Sequence, residues 1–539
     1  MQTKYIVVLG SMMSGLGKGV VTSSLLKMLD FYDYKALPIK FDGYLNYDCG
    51  TMNPYRHGEV FVLDDKSEVD MDFGIYERFS NLNLTGDLSI TGGKLFGSVI
   101  SKERRGEYLG EDVQIIPHLT NEAISMIEKV EKKRKPDVII IEVGGTVGDI
   151  ENSYFIEAVR QLALKHPTLF INLTYAPSLE VVGEQKTKPA QVGYRLLLQA
   201  GIRPDFVICR SRDPLNGKAR SKLAMFANIS EDKVIDDSDA DTIYELPLHF
   251  MQQNFDKKLL KALGFSKRLN RMKYNSWKSS VSRIKNPKNS VEIGVLGKYT
   301  DLKDSYASVK EALVHAGASL DTGVKIRWIE SSDLEREGSK NQFDGVNGIL
   351  VPGGFGNRGI EGMIRGIEQA RKNHIPYLGL CLGMQLMAVE YARNVANLKG
   401  ANSTEFDPKT KYDIIHLLPS QKGVESKGGT MRLGLWKCRL SNSSRSRTLY
   451  GSSIAGERHR HRYEFNNKYR KTLEAKGLLV AGTTLDGKLV EFIEWKDSFG
   501  IATQSHPELR SRLESPAPLF KGFIDAALSD KRSQRKTSA

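Results

Sequence analysis

The stretch Ile375-Pro-Tyr-Leu-Gly-Leu-Cys-Leu-Gly-Met-Gln385 reads as a strand, a sharp turn and the start of a helix. The apolar run after Pro376 has the length and character of a buried parallel strand. Gly379 and Gly383 flank Cys381 closely enough for a strand-to-helix elbow. Such an elbow lifts a thiol above the end of a sheet and points a helix N-terminus at it, whose positive end favours thiolate over thiol. Far downstream, His506-Pro-Glu508 supplies a base and a carboxylate to orient it. Cys381, His506 and Glu508 thus form a candidate nucleophile, base and orienting group for acyl transfer.

Around this elbow the pattern is α/β. Val291–Leu296 opens a strand, Ser305–Ala316 a helix, and Val324–Trp328, Gly348–Val351 and Tyr377–Leu380 are further strands. The first half has the same rhythm. Ile6–Gly10, Ala36–Lys40, Val138–Gly144, Leu169–Tyr175 and Phe206–Cys209 read as strands, with helices over Val20–Phe31 and Asn121–Glu131. Alternation of this kind predicts parallel strands with crossover helices. The chain of 539 residues is too long for one core. We expect two doubly wound, mainly parallel-sheet domains, one over 1–265 and one over 291–527. A basic linker over 266–290 would join them, and a disordered basic tail would fill 528–539. No internal repeat is evident.

Composition narrows the function class. Apolar residues make up 40% and charged residues 26%, ordinary for a globular protein. Four scattered cysteines fit a reducing compartment and no metal-ligand pairing. The opening run Tyr5–Leu9 is a strand, not a signal peptide, and no apolar run reaches membrane-spanning length. A cytoplasmic protein without membrane association is the expectation. The net charge of +14, from 78 basic and 64 acidic residues, sits partly in 266–290 and in the tail. That placement suits a solvated linker and tail, and nucleic acid is not an expected partner.

The first domain carries a phosphate-binding signature. The strand Tyr5–Leu9 runs into Gly10-Ser-Met-Met-Ser-Gly-Leu-Gly-Lys-Gly19, whose backbone amides can turn around a phosphate while Lys18 adds a mobile charge. Gly19 stands where a P-loop carries the Ser or Thr that binds magnesium, so the metal needs other ligands. Asp72 and Glu142 are the candidates, since hard carboxylate oxygens suit Mg²⁺. Lys186-Thr-Lys-Pro-Ala-Gln191 before a helical run, and Lys222, are further basic candidates. A thiol nucleophile in one domain and a nucleotide-phosphate site in the other suit one combined reaction. Ammonia would be released from glutamine and installed at an oxygen-bearing carbon activated by ATP.

Several longer matches carry a specific resemblance. They include Gly15–Gly19, His57-Gly-Glu-Val-Phe-Val62, Tyr76–Phe79, Glu103–Gly110, Pro117–Glu122, Glu142–Glu151, Lys186–Pro189, Val351–Gly356, Gly428–Gly434 and Glu457-Arg-His-Arg-His-Arg-Tyr-Glu464. From Tyr5 to about Asp525 the chain resembles the CTP synthase family. The resemblance implies ATP-dependent amination of UTP to CTP through a 4-phosphoryl-UTP intermediate, with glutamine as ammonia source, in pyrimidine nucleotide biosynthesis. It implies ATP contacts at Gly15, Leu16, Gly17, Lys18, Gly19, Val20 and Asp72, with Lys40 assisting phosphoryl transfer and Phe226, Asp239 and Ala240 beside the adenine. Ser14, Lys186, Thr187, Lys188, Gln191 and Lys222 would contact UTP, and Asp149, Ile150 and Glu151 would bind CTP as feedback inhibitor. His57 and Val60 match an ammonia entrance.

In the second domain the resemblance implies an oxyanion site at Gly354-Phe355 and Leu382, followed by Gly383, Met384 and Gln385. Glu405 and Arg462 would grip glutamine, and Gly428–Gly434 would respond to GTP as an activator. It also implies a homotetramer and the capacity for filaments. The chain departs from the family in two places. Asp42-Gly-Tyr44 stands for the usual Asp-Pro-Tyr, and Val192-Gly-Tyr194 for the usual His-Ser-Val. The stretch Asn402–Gly428 aligns only at Glu405. Two other readings compete: a corrinoid-type amidating synthase, and a non-catalytic, filament-forming homologue. The first lacks the Lys186–Pro189 and Glu103–Gly110 runs, and the second would be expected to lose Cys381, Lys18 or Asp72.

Overall fold

A computed structural model of the chain describes residues 2–53, 58–179, 184–298, 303–336, 342–418, 421, 423 and 429–537. They group into two units, one of Met1–Cys49 with Ile75–Val281, the other of Gly50–Gly74 with Ser282–Ala539. The expected division near 266–290 is thus joined by an excursion: residues 50–74 of the N-terminal sequence pack with the C-terminal unit. Among the described residues no helix is long and apolar enough to cross a membrane.

The first unit is built on seven strands: β1 (Lys4–Gly10), β2 (Ala36–Asp42), β3 (Ser89–Thr91), β4 (Val138–Val143), β5 (Thr168–Tyr175), β6 (Phe206–Ser211) and β7 (Val234–Ser238). Their order is β7-β6-β5-β1-β4-β2-β3, and every pairing is parallel. Runs such as Val138-Ile-Ile-Ile141 are buried throughout, as a sheet covered on both faces requires. The helices include α1 (Lys18–Asp30), α2 (Thr120–Arg134), α3 (Ser153–Lys165), α4 (Lys188–Gln199) and α5 (Gly217–Ala227). Strands β3 and β7 escaped the sequence reading because Ser89-Ile-Thr91 is short and Val234-Ile-Asp-Asp-Ser238 is half polar.

The basic stretch after 265 is not a solvated linker. Most of it forms helix α6 (Arg271–Lys285), with Trp277, Ser280 and Val281 buried. Trp277 and Val281, four apart, share one helical face. The indole N–H donates to Tyr244 O at 2.9 Å, and Lys27 Nζ lies 4.6 Å from its ring centre. The basic side chains occupy the rest of the helix surface.

The second unit holds a nine-stranded sheet. Its members are β8 (Asn289–Gly297), β9 (Thr322–Glu330), β10 (Gly348–Val351), β11 (Tyr377–Leu380), β12 (Arg432–Leu440), β13 (Ile454–His461), β14 (Leu478–Thr484), β15 (Val490–Trp495) and β16 (Gly500–Thr503). The order β9-β8-β10-β11-β16-β15-β14-β12-β13 is parallel from β9 to β16 and antiparallel from β16 to β13. Helices α7 (Ala307–Ser319), α8 (Ile360–Lys372), α9 (Leu382–Asn394) and α10 (Pro518–Thr537) accompany it. Alternate residues feed two cores: Ile349 and Val351 join α8 and α9 in one, Leu350 joins α7 and α10 in the other. Helix α10 continues to Thr537, through residues expected to be a disordered tail, and Ala527 and Leu528 are buried against the second core.

Candidate active site

Two neighbouring strands bring the acyl-transfer residues together. β11 and β16 run parallel in register, Leu380 opposite Thr503. Cys381 follows the one and His506 lies just beyond the other, so both stand at the carboxyl edge of the sheet, where ligands of such folds gather. The Cys381 N–H donates to Thr503 O at 2.8 Å. Cys381 has φ 49° and ψ −97° as it caps α9, a left-handed backbone that a non-glycine residue adopts only under constraint. The two glycines supply the room. A Cβ on Gly379 would lie 2.7 Å from Tyr377 Oη and 2.8 Å from the Gly383 carbonyl carbon, and one on Gly383 would strike Val351 O.

His506 Nδ1 is 2.7 Å from Glu508 Oε1. Its Nε2 is buried and has no oxygen or nitrogen partner among the described residues. Burial alone would lower the imidazole pKa. The Glu508 charge and then Cys381 outweigh it and hold His506 well above its ordinary value. A proton on His506 opposite a thiolate is the arrangement a nucleophilic cysteine needs. Gln504 Nε2 donates to Cys381 Sγ at 3.5 Å, and its Oε1 accepts from Gln385 Nε2 at 3.3 Å.

Cys381, Gln385, His506 and Glu508 line a cavity of about 490 Å³ with Gly354, Glu405, Arg462 and Tyr463. A Cβ on Gly353 would sit 2.7 Å from His506 Cε1, and one on Gly354 would sit 3.2 Å from Leu382 Cδ2, so the Gly353-Gly354 backbone passes beside the thiol. Lys298 braces this loop: its Nζ donates to Phe355 O at 3.2 Å and also to Gly356 O. Burial lowers the Lys298 pKa to about 8. Glu405, its own pKa raised by burial, accepts from the Gly356 N–H at 3.1 Å. Arg462 donates to Gln421 Oε1 at 2.5 Å and Thr430 Oγ1 at 3.1 Å, which ties it to the described part, Gly429–Gly434, of the loop expected to respond to GTP. Gly428 and His57 lie outside the described residues.

Sequence reasoning named Val60 and missed Gln504, Lys298 and the wall that Gly50, Thr51, Met52 and Glu59 form beside it. Lys298 was findable as a charged residue directly after a strand. The wall was not. Gly50, Thr51, Met52, Glu59 and Val60 line the cavity, held by Glu59 Oε2 accepting from the Ser308 N–H at 3.0 Å and by Arg460 donating to Gly50 O at 3.3 Å.

In the first unit the glycine loop leads from β1 into α1. Gly15 and Gly17 have φ 79° and 92°, conformations that favour glycine. Lys18 folds back to donate to Gly145 O at 2.6 Å. Gly15, Leu16, Gly17 and Val20 line a cavity of about 150 Å³ with Ala240, Arg210 and Asp237, and Gly19 lies buried in the first turn of α1. Arg210 reaches Asp237 at 3.1 Å and Asp239 at 2.7 Å. Phe226 and Lys222 lie outside this lining, exposed on α5, and Ser14 is exposed on the loop. At α4, Thr187 and Gln191 are buried and hydrogen-bonded at 3.0 Å, while Lys186 pairs with Glu184 at 3.0 Å and Lys188 is exposed. Asp149 accepts from the Thr146 N–H at 2.7 Å, and Ile150 and Glu151 are exposed beside it.

Glu142, buried, accepts from Lys40 Nζ at 2.7 Å and Tyr76 Oη at 2.6 Å. Asp72 opens the helix Asp72–Phe79, and its N–H donates to Asp70 Oδ1 at 2.9 Å. Among the described residues no three His, Cys, Asp or Glu side chains gather as a metal cage. Glu142 lies in the first unit and Asp72 in the second; each offers carboxylate oxygen, the donor type Mg²⁺ prefers, and that ion takes one or two carboxylates with phosphate and water completing its shell.

Comparison with known proteins bears on both halves. The family model for the CTP synthase N-terminus matches residues 4–265, and that for class-I glutamine amidotransferase matches 301–526. The CTP synthase of Carboxydothermus hydrogenoformans is 50% identical over 98% of this chain and 99% of its own. The chain belongs to the CTP synthase family. That of Caldanaerobacter subterraneus subsp. tengcongensis is 48% identical over 98% of each chain. The glutaminase domain of Trypanosoma brucei CTPS with bound acivicin matches with a TM-score of 0.42 and 35% identity, over 44% of this chain and 94% of its own. As a member of the CTP synthase family, the protein is an ATP-using carbon–nitrogen ligase that takes nitrogen from glutamine and forms CTP from UTP.

Proposed function

We propose that Cys381 attacks the carboxamide carbon of glutamine. His506 carries the thiol proton to the departing ammonia, and water then releases glutamate from the thioester. Glu508 orients the imidazole. Backbone N–H groups of Gly354-Phe355 and Leu382 receive the oxyanion, a role in which each donor contributes roughly 2.7–4 kcal/mol. Glu405 attracts the glutamine α-amino group and Arg462 its carboxylate. The observation that carries this reading is His506 between Glu508 and Cys381 at the ends of two adjacent parallel strands. Ammonia leaves past Val60, which lines the same cavity.

In the synthetase unit, ATP phosphorylates O4 of the UTP ring, turning a poor oxygen leaving group into a good one. Ammonia then attacks C4 and phosphate departs. Gly15–Val20 cradle the ATP phosphates, and Lys18 and Lys40 offset charge on the transferring group. Asp239 and Ala240 border the adenine, with Phe226 beside it. Ser14, Lys186–Gln191 and Lys222 bind UTP. Glu142 and Asp72 would hold Mg²⁺. When bound, the ion draws charge from the phosphates. Feedback by CTP at Asp149–Glu151, activation by GTP through Gly428–Gly434, a tetramer able to form filaments and a cytoplasmic location complete the proposal.

The test is ultraviolet detection of CTP from UTP, ATP and Mg²⁺, with glutamine or ammonium as donor. Wild type is expected to use both donors and Cys381→Ala only ammonium. Failure of both proteins with ammonium refutes the synthetase reading and returns the silent-scaffold one.

A further inference from the structure

Gly193 lies in the middle of α4 and is buried. Glycine weakens a helix interior by roughly 0.5–1 kcal/mol relative to alanine, so its presence there points to a close approach. The approach is to Ser11. A Cβ on Gly193 would overlap the Ser11 Cβ and lie 2.8 Å from its Oγ. Ser11 directly follows β1 and is fully buried. Its N–H donates to Leu173 O at 3.0 Å, and its hydroxyl accepts from Asn172 Nδ2 at 3.3 Å. The space between α4 and the root of the phosphate loop therefore holds one side chain, and Ser11 supplies it. One turn on, Leu196 Cδ1 stands 3.1 Å from where a Gly148 Cβ would be, so the same helix also abuts the loop that leads into Asp149–Glu151.

We propose that Gly193 and Ser11 are a size-exclusive positioning pair. They set how closely the first turn of α4, with Lys188 and Gln191, approaches the Gly15–Lys18 loop, and so where the uracil oxygen stands for phosphoryl transfer. The inference rests on reading that first turn as the UTP site. The space admits one side chain from either position, and here Ser11 fills it. The pair should therefore be exchangeable: Gly193→Ser alone forces α4 outward, while Ser11→Gly with Gly193→Ser restores one side chain to one space.

The experiment compares the full-length wild type, Gly193→Ser, Ser11→Gly and the double variant. Ammonium-driven CTP formation is followed with UTP varied, glutamine hydrolysis is assayed alongside, and thermal unfolding is recorded. Since displacement of about 1 Å can cost up to roughly 100-fold, Gly193→Ser is expected to lower kcat/KM for UTP by about tenfold or more, with glutamine hydrolysis unchanged. The double variant is expected to return within about threefold of wild type, the non-additivity of residues in contact. If Gly193→Ser fails to fold, recovery of folding and UTP turnover in the double variant supports the pair and continued failure overturns it. Near-wild-type UTP kinetics in Gly193→Ser, or a double variant no better than the single, overturns the pair alone. A wild type that makes no CTP from ammonium overturns the UTP reading and the pair with it.

Discussion

Replacing Glu508 by glutamine keeps the shape of the side chain and removes its charge. The carboxylate is buried, with Oε1 2.7 Å from His506 Nδ1. Burial pushes the imidazole pKa down, and the Glu508 charge is the largest influence holding it above the ordinary 6.5. Without that charge the largest influence raising the His506 pKa is gone and burial works against the protonated imidazole, so proton transfer between Cys381 and His506 loses its support. A hydrogen bond to a charged group is worth about 1.5–3 kcal/mol, which converts to a loss of roughly 10- to 150-fold in glutamine hydrolysis. Glutamate release across pH 5–9 measures it, and ammonium-driven CTP formation should survive. Stability moves with a defined sign. A folded-state pKa above 6.5 contributes stability that is complete below about 6.5 and fades as pH rises through the raised value. The gap in unfolding free energy between wild type and Glu508→Gln should thus be widest in acid and close toward alkali. Glutamine hydrolysis within threefold of wild type, with the same pH profile, would refute the role of the carboxylate.

Trp277→Ala should cost about 3–5 kcal/mol in urea unfolding, because the indole is fully buried; a cost below 1 kcal/mol would mean α6 is the surface linker its charge suggests. Burial raises the Glu464 carboxyl pKa to about 8 despite Arg432 at 3.0 Å. The stability this contributes is complete below 4.5 and lost as pH rises through 8. Glu464→Gln, which mimics the protonated form, should cost less than about 1 kcal/mol at pH 6 and leave the protein more stable than wild type at pH 9; equal losses at both would contradict it. Gly383→Ala should abolish glutamine hydrolysis by driving a methyl group into Val351 O, with ammonium-driven CTP formation as the control; retained hydrolysis would mean the elbow can relax.

The inner parallel strands of both sheets were legible because a strand buried on both faces must be apolar throughout. Gly348–Val351 and Tyr377–Leu380 fall where their sequence places them. The elbow was legible for a steric reason: two glycines around one cysteine have little use except to let backbone pass close by. The antiparallel extension β12–β15 was harder to read. Its strands carry Arg432, Arg458, Arg460, Glu491 and Glu494, charges that suggest surface until their partners are known. The glycine departures were legible only as departures. The place a Cβ on Gly43 would take lies 2.7 Å from Glu151 O and against the Asn152 side chain. What matters there is closeness of packing, which one chain read alone cannot reveal.

The run Glu457-Arg-His-Arg-His461 illustrates why pairing had to be seen. On β13 successive side chains take opposite faces. Arg458 and Arg460 fall on one face, where Arg458 Nε meets Asp64 at 2.6 Å and Arg460 Nε meets Glu68 at 2.8 Å. They hold the excursion that walls the cavity at Cys381. His459 and His461 fall on the other, Nδ1 of the first 3.0 Å from Nε2 of the second. His459 lies 3.4 Å from Glu491, which takes Arg432 at 2.5 Å. Burial drives both imidazoles well below their ordinary pKa, so this face stays neutral at the histidines while the other is doubly cationic. A slip of one residue would exchange the faces. It would bring two arginines to Arg432 and its partners Glu464 and Glu491, and leave Asp64 and Glu68 facing neutral rings. The alternation in that motif thus fixes strand register by charge, and the same register seats the cavity wall that the N-terminal sequence supplies.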